Sequence, residues 1–446
     1  MSRRTVARGR ARRLLASAVA VALLASAIGL VAFSVQSTTT PAGPAEGPTD
    51  PAAGLESLHA AGVTGNGVSV AVLGVTGFDT DHPALADRVV ASRAFGPDGS
   101  VRNGGRTAHG TAAASLVART APDADLYLAS FDSASGMRRA LTWAVRRDVD
   151  VVVTPVEFYG SPGDGSATVS QAVDAVADDT LVVASAGNLG RGHWQGAFVP
   201  DEDGVHQFGG GSRNYLLDGD ARRVTLWLSW NERPDAARPG FGLELYRVDG
   251  GSPRLVARSQ PYEADATPNE RIAAEVDPEG TYYVVVRGRP AAAGTHVELS
   301  SPTHVLQFRE RAGSIVAPAT AESALAVGAY DPWVDRVEPF SSTGPTTDGR
   351  PGIDVVAPAR LRTAGDTDVL VGSSAAAPYT AGVAALVLDA KPSLSPPSAG
   401  RLLRETATDV GPAGREPVTG HGLVAPRRAV DAARNATDSN PDLSHE

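Results

Sequence analysis

Hydrophobic and polar positions along this chain of 446 residues follow three successive rhythms. An unbroken apolar run extends from Leu14 to about Val35 and is preceded by Arg3, Arg4, Arg8, Arg10, Arg12 and Arg13. Short apolar runs then alternate with helical spacings. Val68 to Leu73, Asp125 to Phe131, Val149 to Val153 and Thr180 to Ser185 read as strands buried on both faces. Met137, Ala140, Leu141, Ala144 and Val145 recur at i, i+3, i+4, i+7 and i+8, as do Val169, Ala172, Val173 and Val176 over a shorter stretch, and both predict helices. Strand, helix, strand, helix is the signature of a parallel sheet in an α/β fold.

Near Arg191 the rhythm changes to period two. Arg223 to Trp230, Phe241 to Val248, Thr281 to Arg287 and His296 to Ser300 alternate, with no helical period until about Glu310. Three of the five tryptophans, Trp194, Trp227 and Trp230, lie here, enough to seed a separate core. This block, residues 191–310, predicts an inserted β-sandwich. The α/β pattern returns over 311–434, where Ala375 to Leu388 predicts a buried, alanine-rich helix. The α/β body therefore has a first part at 55–190 and a second at 311–434. A Pro/Gly/Thr linker at 36–54 precedes it and a polar tail at 435–446 follows.

Arginines before an apolar run of about 22 residues place the N-terminus inside and the body outside, as a membrane anchor or a signal segment over 1–35. The run is long for a signal core and shows no decisive cleavage site, which favours an uncleaved anchor. The net charge is −10, and removing the six arginines of the first 35 residues leaves the rest at −16. Such a body is a poor partner for nucleic acid. There is no cysteine, so disulfides, thiolate zinc sites and cysteine nucleophiles are excluded.

Three positions carry candidate chemistry. His109 opens a small-residue helix in His109-Gly-Thr-Ala-Ala-Ala. Ser374 lies in Gly372-Ser-Ser-Ala-Ala-Ala-Pro378 at a helix start, where developing negative charge is stabilised, with Pro378 read as part of the first turn. Asn188 ends Ala184-Ser-Ala-Gly-Asn188 after a strand, where its amide could donate to an oxyanion. Each has a plain structural alternative: a helix-start histidine, a helix cap and a turn asparagine.

Taken together, these motifs resemble the subtilisin family of serine peptidases. His109-Gly-Thr, Ala186-Gly-Asn188 and Gly372-Ser-Ser374 stand in that family's order. Phe340-Ser-Ser-Thr-Gly-Pro345, Asp354-Val-Val-Ala-Pro358 and Gly420-His-Gly-Leu-Val424 support the same alignment. The resemblance covers about residues 56–190 and 311–432. It implies that Ser374 attacks the scissile carbonyl, that His109 accepts and returns the proton, and that Asn188 with the Ser374 N–H binds the oxyanion. It also implies an extended polypeptide as substrate, no required cofactor and a monomer outside the cell.

Two departures stand against this. The family's relay aspartate aligns with Gly74 in Val70-Ala-Val-Leu-Gly74, leaving Asp79 and Asp81 as candidate substitute carboxylates. In the strand that pairs with substrate, Pro155 lacks an N–H and Glu157 replaces a small residue; a solvated loop glutamate is the favoured reading of Glu157. Asp201-Glu-Asp-Gly204 reads as an acidic turn or part of a calcium loop whose other ligands cannot be assigned, and nothing else suggests a metal. The sequence thus leaves an attenuated peptidase and a non-catalytic binding or structural module of the same fold.

Overall fold

The structure is a computed structural model and describes residues 51–97, 99–102, 108–220, 222–230, 240–261, 269–363 and 369–436. The expected membrane segment and most of the linker and tail lie outside the described residues, among which no helix is long and apolar enough to cross a membrane. The first part of the chain forms α1 (Pro51–Ala60), β1 (Ser69–Gly74), β2 (Val89–Ala94), α2 (His109–Thr120), β3 (Asp125–Ser130), α3 (Ala134–Val145), β4 (Val151–Thr154), α4 (Thr168–Asp174) and β5 (Leu181–Ser185). Residues 51–54, assigned above to the linker, are instead the first turn of α1. Proline is at home there because the first helical N–H has no partner to lose.

Ten strands follow: β6 (His193–Ala197), β7 (Asn214–Gly219), β8 (Arg223–Trp230), β9 (Gly242–Asp249), β10 (Ser252–Arg258), β11 (Gln260–Pro261), β12 (Asn269–Glu275), β13 (Thr281–Arg287), β14 (His296–Ser300) and β15 (His304–Leu306). The chain then returns through β16 (Leu325–Asp331), β17 (Arg336–Val337), β18 (Val355–Pro358), β19 (Arg360–Arg362), β20 (Val369–Val371), α5 (Ser373–Ala390), α6 (Pro396–Glu405) and α7 (Pro426–Asn435).

The central sheet runs β2-β3-β1-β4-β5-β16, with β18 and the short β17 both paired to β16. All of its ladders are parallel except that of β17. Strand alternation divides its contacts between two cores. Val70 and Val72 of β1 face one core with Ala113, Val117, Val383 and Leu386 of α2 and α5. Ala71 and Leu73 face the other with Met137, Leu141 and Val173 of α3 and α4. Burial on both faces is why these strands are continuously apolar.

Between β5 and β16, two antiparallel sheets of five strands each, β10-β9-β13-β7-β15 and β11-β12-β8-β14-β6, close on a third core. Leu243, Leu245, Val284 and Val286 from one sheet meet Leu226, Leu228, Val297 and Leu299 from the other. The fold is therefore α/β with an inserted β-sandwich.

The helices α2 and α5 lie against each other so closely that a Cβ added at Gly382 would fall 2.4 Å from the Thr120 Cβ. Both helices end against the same turn before β1, where the Gly65 N–H donates to Asp389 Oδ2 of α5 at 2.9 Å and a Cβ at Gly65 would lie 2.8 Å from the Ala121 Cβ just past α2, so the two run in the same sense and begin at the same end. A Gly382→Ala substitution should force them apart and lower stability by about 1–3 kcal/mol, the usual cost of overpacking a tight core. A chemical-denaturation midpoint equal to that of the unsubstituted chain would contradict this contact.

Candidate active site

Parallel strands deliver their following segments to one edge of the sheet, and the candidate residues collect there. Gly74 is the last residue of β1, Glu157 lies three positions beyond β4, and Asn188 three beyond β5. His109 and Ser373 are the first residues of α2 and α5.

The start of α2 is fixed by the loop after β1. The Gly110 N–H donates to Thr76 Oγ1 at 3.0 Å, and the Asp79 N–H donates to Thr111 Oγ1 at 2.8 Å. A Cβ at Gly110 would lie 2.3 Å from the Gly77 carbonyl oxygen, so only glycine admits this approach. The segment after β5 is held with equal economy. Gly187 has φ +112°, a value that favours glycine, and a Cβ there would meet Ser342 Oγ at 2.7 Å. Ser342 in turn donates its N–H to Gly187 O and accepts that of Leu189 on Oγ, both at 2.9 Å. The Phe340-Ser-Ser-Thr-Gly-Pro345 stretch thus clamps the asparagine loop.

Asn188 joins two other segments through its side chain. Its Oδ1 accepts the Ser373 N–H at 3.0 Å, and its Nδ2 donates to Glu157 Oε1 at 2.6 Å. Ser373 Oγ donates to the same Glu157 oxygen at 3.4 Å and accepts the Gly187 N–H at 3.3 Å. The Tyr159 hydroxyl donates to Glu157 Oε2. Glu157 is therefore no solvated loop residue. Burial pushes its carboxyl pKa above the ordinary value, opposed by the three donors from Tyr159, Ser373 and Asn188. Burial also raises Tyr159, with the neighbouring carboxylate adding to it. Tyr159 escaped the sequence reading, although its spacing of two from Glu157 puts both on one side of an extended segment.

His109 is 7% exposed and Ser374 4%. Burial lowers the His109 pKa to about 4, with no anionic partner to offset it. Among the described residues, neither the His109 ring nor the Ser374 hydroxyl has a hydrogen bond, to each other or elsewhere. The structure thus brings Asn188 to the N-terminus of α5 and sets the starts of α2 and α5 at one end, without a bond between the His109 ring and the Ser374 hydroxyl.

The candidate substitute carboxylates have other partners. Asp81 is exposed and paired with Arg102, whose Nη2 reaches Asp81 Oδ1 at 3.0 Å. Asp79 is exposed and accepts the Asp81 N–H on Oδ1 at 3.2 Å. Neither bonds to His109. At Gly74 itself, a Cβ would meet the tip of the fully buried Phe78 ring at 3.0 Å. The space beside β1 is therefore filled by a phenyl group.

One further expectation needs correction. Because α5 begins at Ser373, Pro378 is in its second turn, not its first, and removes the N–H that would have bonded the Ser374 carbonyl. The Asp201 turn is closed by the protein itself: Oδ1 accepts the N–H groups of Asp203 and Val205 at 3.0 and 2.8 Å, and Oδ2 accepts from Gln207 at 3.1 Å. Among the described residues there is no cluster of three or more His, Asp or Glu side chains able to hold a metal.

The model of the subtilase family matches residues 65–211 and 291–422. An intracellular serine protease of Paenibacillus polymyxa is 32% identical over 229 residues, 44% of this chain and 65% of that protein. Subtilisin Savinase of Lederbergia lenta is 37% identical over 152 residues, 30% of this chain and 53% of its own. A halolysin-like extracellular serine protease, Nep, of Natrialba magadii is 35% identical over 122 residues, 27% of this chain and 21% of that one. The chain thus spans less than two thirds of the length of each of these relatives. In fold, it is similar to the CspB protease of Clostridium perfringens, with a TM-score of 0.60 over 86% of this chain and 98% of the other at 17% identity.

The buried histidine gives a direct test of this geometry. The folded state binds a proton at His109 only near pH 4, well below the ordinary value of 6.5. In a pH titration followed by NMR, the His109 ring resonance should therefore keep its neutral position from pH 8 to about 5 and move only below that. A midpoint near 6.5 would mean that the ring is solvated or paired with a carboxylate.

Proposed function

The chain belongs to the subtilase family, and we propose that it is an extracellular serine endopeptidase, slowed by the lack of a relay carboxylate, that cleaves extended polypeptides. The observation that carries this reading is the meeting of the Asn188 amide with the N-terminus of α5, at the end where the His109 helix also begins.

In this reading the Ser374 hydroxyl attacks the scissile carbonyl and His109 takes its proton. The carbonyl oxygen, now an oxyanion, is received by the Asn188 amide and the Ser374 N–H. Collapse of the tetrahedral intermediate expels the amine, which takes the proton from His109, and water repeats the sequence on the acyl-enzyme. Gly74 occupies the place of the group that would orient the imidazole and stabilise its cation. His109 then depends on its surroundings alone, and burial makes it a weak base. Loss of that carboxylate costs about 10⁴-fold in kcat in peptidases of this kind. Phe78 supports the same view, since its ring leaves no room for a side chain at Gly74 without moving. The arginine-flanked apolar run at 1–35 supports export, with the body held at the outer face of the membrane or released from it.

A second reading is favoured by Glu157, which already occupies the Asn188 amide. In that reading the chain is a cell-surface binding or structural module that keeps the fold without the reaction. A fluorophosphonate probe separates the two. In the full-length chain, slow labelling at Ser374, lost in Ser374→Ala and reduced about 100-fold or more in His109→Ala, is the expected result. Absence of labelling between pH 6 and 9, both in this chain and in Glu157→Gly, where the amide is uncovered, would establish the binding module instead.

A further inference from the structure

We propose that Glu157 determines specificity at this site: its carboxylate covers the oxyanion donor of Asn188 until a lysine or arginine side chain preceding the scissile bond draws it away. This rests on the peptidase reading above and names the substrate class.

Glu157 Oε1 lies 2.6 Å from Asn188 Nδ2 and 3.4 Å from Ser373 Oγ, between the amide and the first residue of α5. A substrate carbonyl oxygen that is to accept from the Asn188 amide has to displace this oxygen from the same N–H. A carboxylate there does more than fill space. An ionised oxygen opposes the build-up of a second negative charge beside it, so the site is closed electrostatically as well as sterically.

The carboxylate is half-buried and its donors, Asn188, Ser373 and Tyr159, are all neutral. Among the described residues it forms no ion pair. A desolvated acid held by neutral donors lacks the one partner that would stabilise its charge, and a cationic ligand supplies it. The side chain that precedes a scissile bond leaves the carbon next to the carbonyl. An ammonium or guanidinium on it therefore enters beside the carboxylate as the carbonyl approaches Asn188. Rotation about the glutamate's own torsions then exchanges one partner for another. A neutral side chain offers no such exchange and leaves the amide covered.

The surroundings confine this movement to the Glu157 side chain. Tyr159 is packed with Leu189, Trp227 and Val316. The Phe158 N–H donates to Ala317 O at 2.9 Å, and Asn269 of the β-sandwich donates to Gly160 O at 3.2 Å. The backbone on which Glu157 sits is thus anchored on its C-terminal side by the inserted sheets.

The test measures binding in the Ser374→Ala background of the full-length chain, where no turnover is needed. Acetylated Ala-Ala-Pro-Lys and Ala-Ala-Pro-Leu peptides with free C-terminal carboxylates are compared by calorimetry. With Glu157 present, the lysine peptide should bind about tenfold more tightly or better. Glu157→Gly should uncover the amide, raise affinity for the leucine peptide about tenfold and abolish the preference. Glu157→Gln, which keeps an acceptor without the charge, should also lose the preference. Equal affinities with Glu157 in place, a lysine preference that persists in Glu157→Gln, or no binding of either peptide to any of the three proteins would overturn the proposal. An inert Ser374 leaves these outcomes unchanged, because that failure is read only by the fluorophosphonate.

Discussion

The carboxamide of Asn188 binds three distant stretches of chain into one site. Its oxygen takes the first N–H of α5 and its nitrogen meets Glu157 beyond β4. A side-chain amide can do both because it carries a donor and an acceptor on a single rigid plane. Replace it by an acid and the donor is lost; by a leucine, and the buried Ser373 N–H is left without its acceptor at a cost of about 1–3 kcal/mol, while Glu157 loses one of its three donors. The arrangement of the site follows from this one group, while the sheet merely brings the three stretches to the same edge.

That delivery has its own requirement, which is closeness. Gly110 against the Gly77 carbonyl, Gly187 against Ser342 and Gly382 against Thr120 are all contacts that no side chain could share. They fall on the two helices and the loop that carry His109, Ser374 and Asn188. The small residues are spent where backbones must meet, and the larger apolar ones in the layers behind. Closeness also sets the electrostatics. Burial drives the His109 pKa down and that of Glu157 up, the latter against the pull of its three hydrogen-bond donors.

Much of this was legible in the residues alone. Arg223 to Trp230, Thr281 to Arg287 and His296 to Ser300 were read with the ends the structure gives them, because period two is unambiguous where both neighbours and turns agree. In the central sheet β1, β3, β4 and β5 were found to within a residue or two, whereas β16 and β18, buried just as fully, were not singled out. β2 was missed: at the edge of the sheet, Val89–Ala94 is only partly buried and carries Ser92 and Arg93, so it lacks the apolar run that marks its neighbours. The first turn of the helix over Pro51–Ala60 hid in a proline- and glycine-bearing stretch, residues 36–54, that composition assigns to a linker. At the site, motif order brought out His109, Asn188 and Ser374, but not what lies between them. Glu157 was seen and read as solvated, since a loop position says nothing about whether another segment will cover it.

The segment just beyond Glu157 is held partly by the inserted sandwich, a link that the sequence of the insert could not show. Trp227 lies in the middle of β8 yet is turned out of the sandwich core, into the cluster with Tyr159, Leu189 and Val316. Gly160, with φ +73°, passes so near that a Cβ would lie 2.8 Å from the indole. The Arg271 guanidinium sits 5.1 Å from the Trp227 ring, adding a cation–π contact on the sandwich side. A tryptophan whose ring leaves its own domain costs that domain buried area, and the compensation lies in the segment it holds. By fixing Tyr159 and Gly160, the sandwich fixes the backbone from which Glu157 reaches Asn188. The insert and the Asn188 amide are therefore joined through Tyr159 and Glu157, so Trp227 bears on the position of a carboxylate that it does not touch.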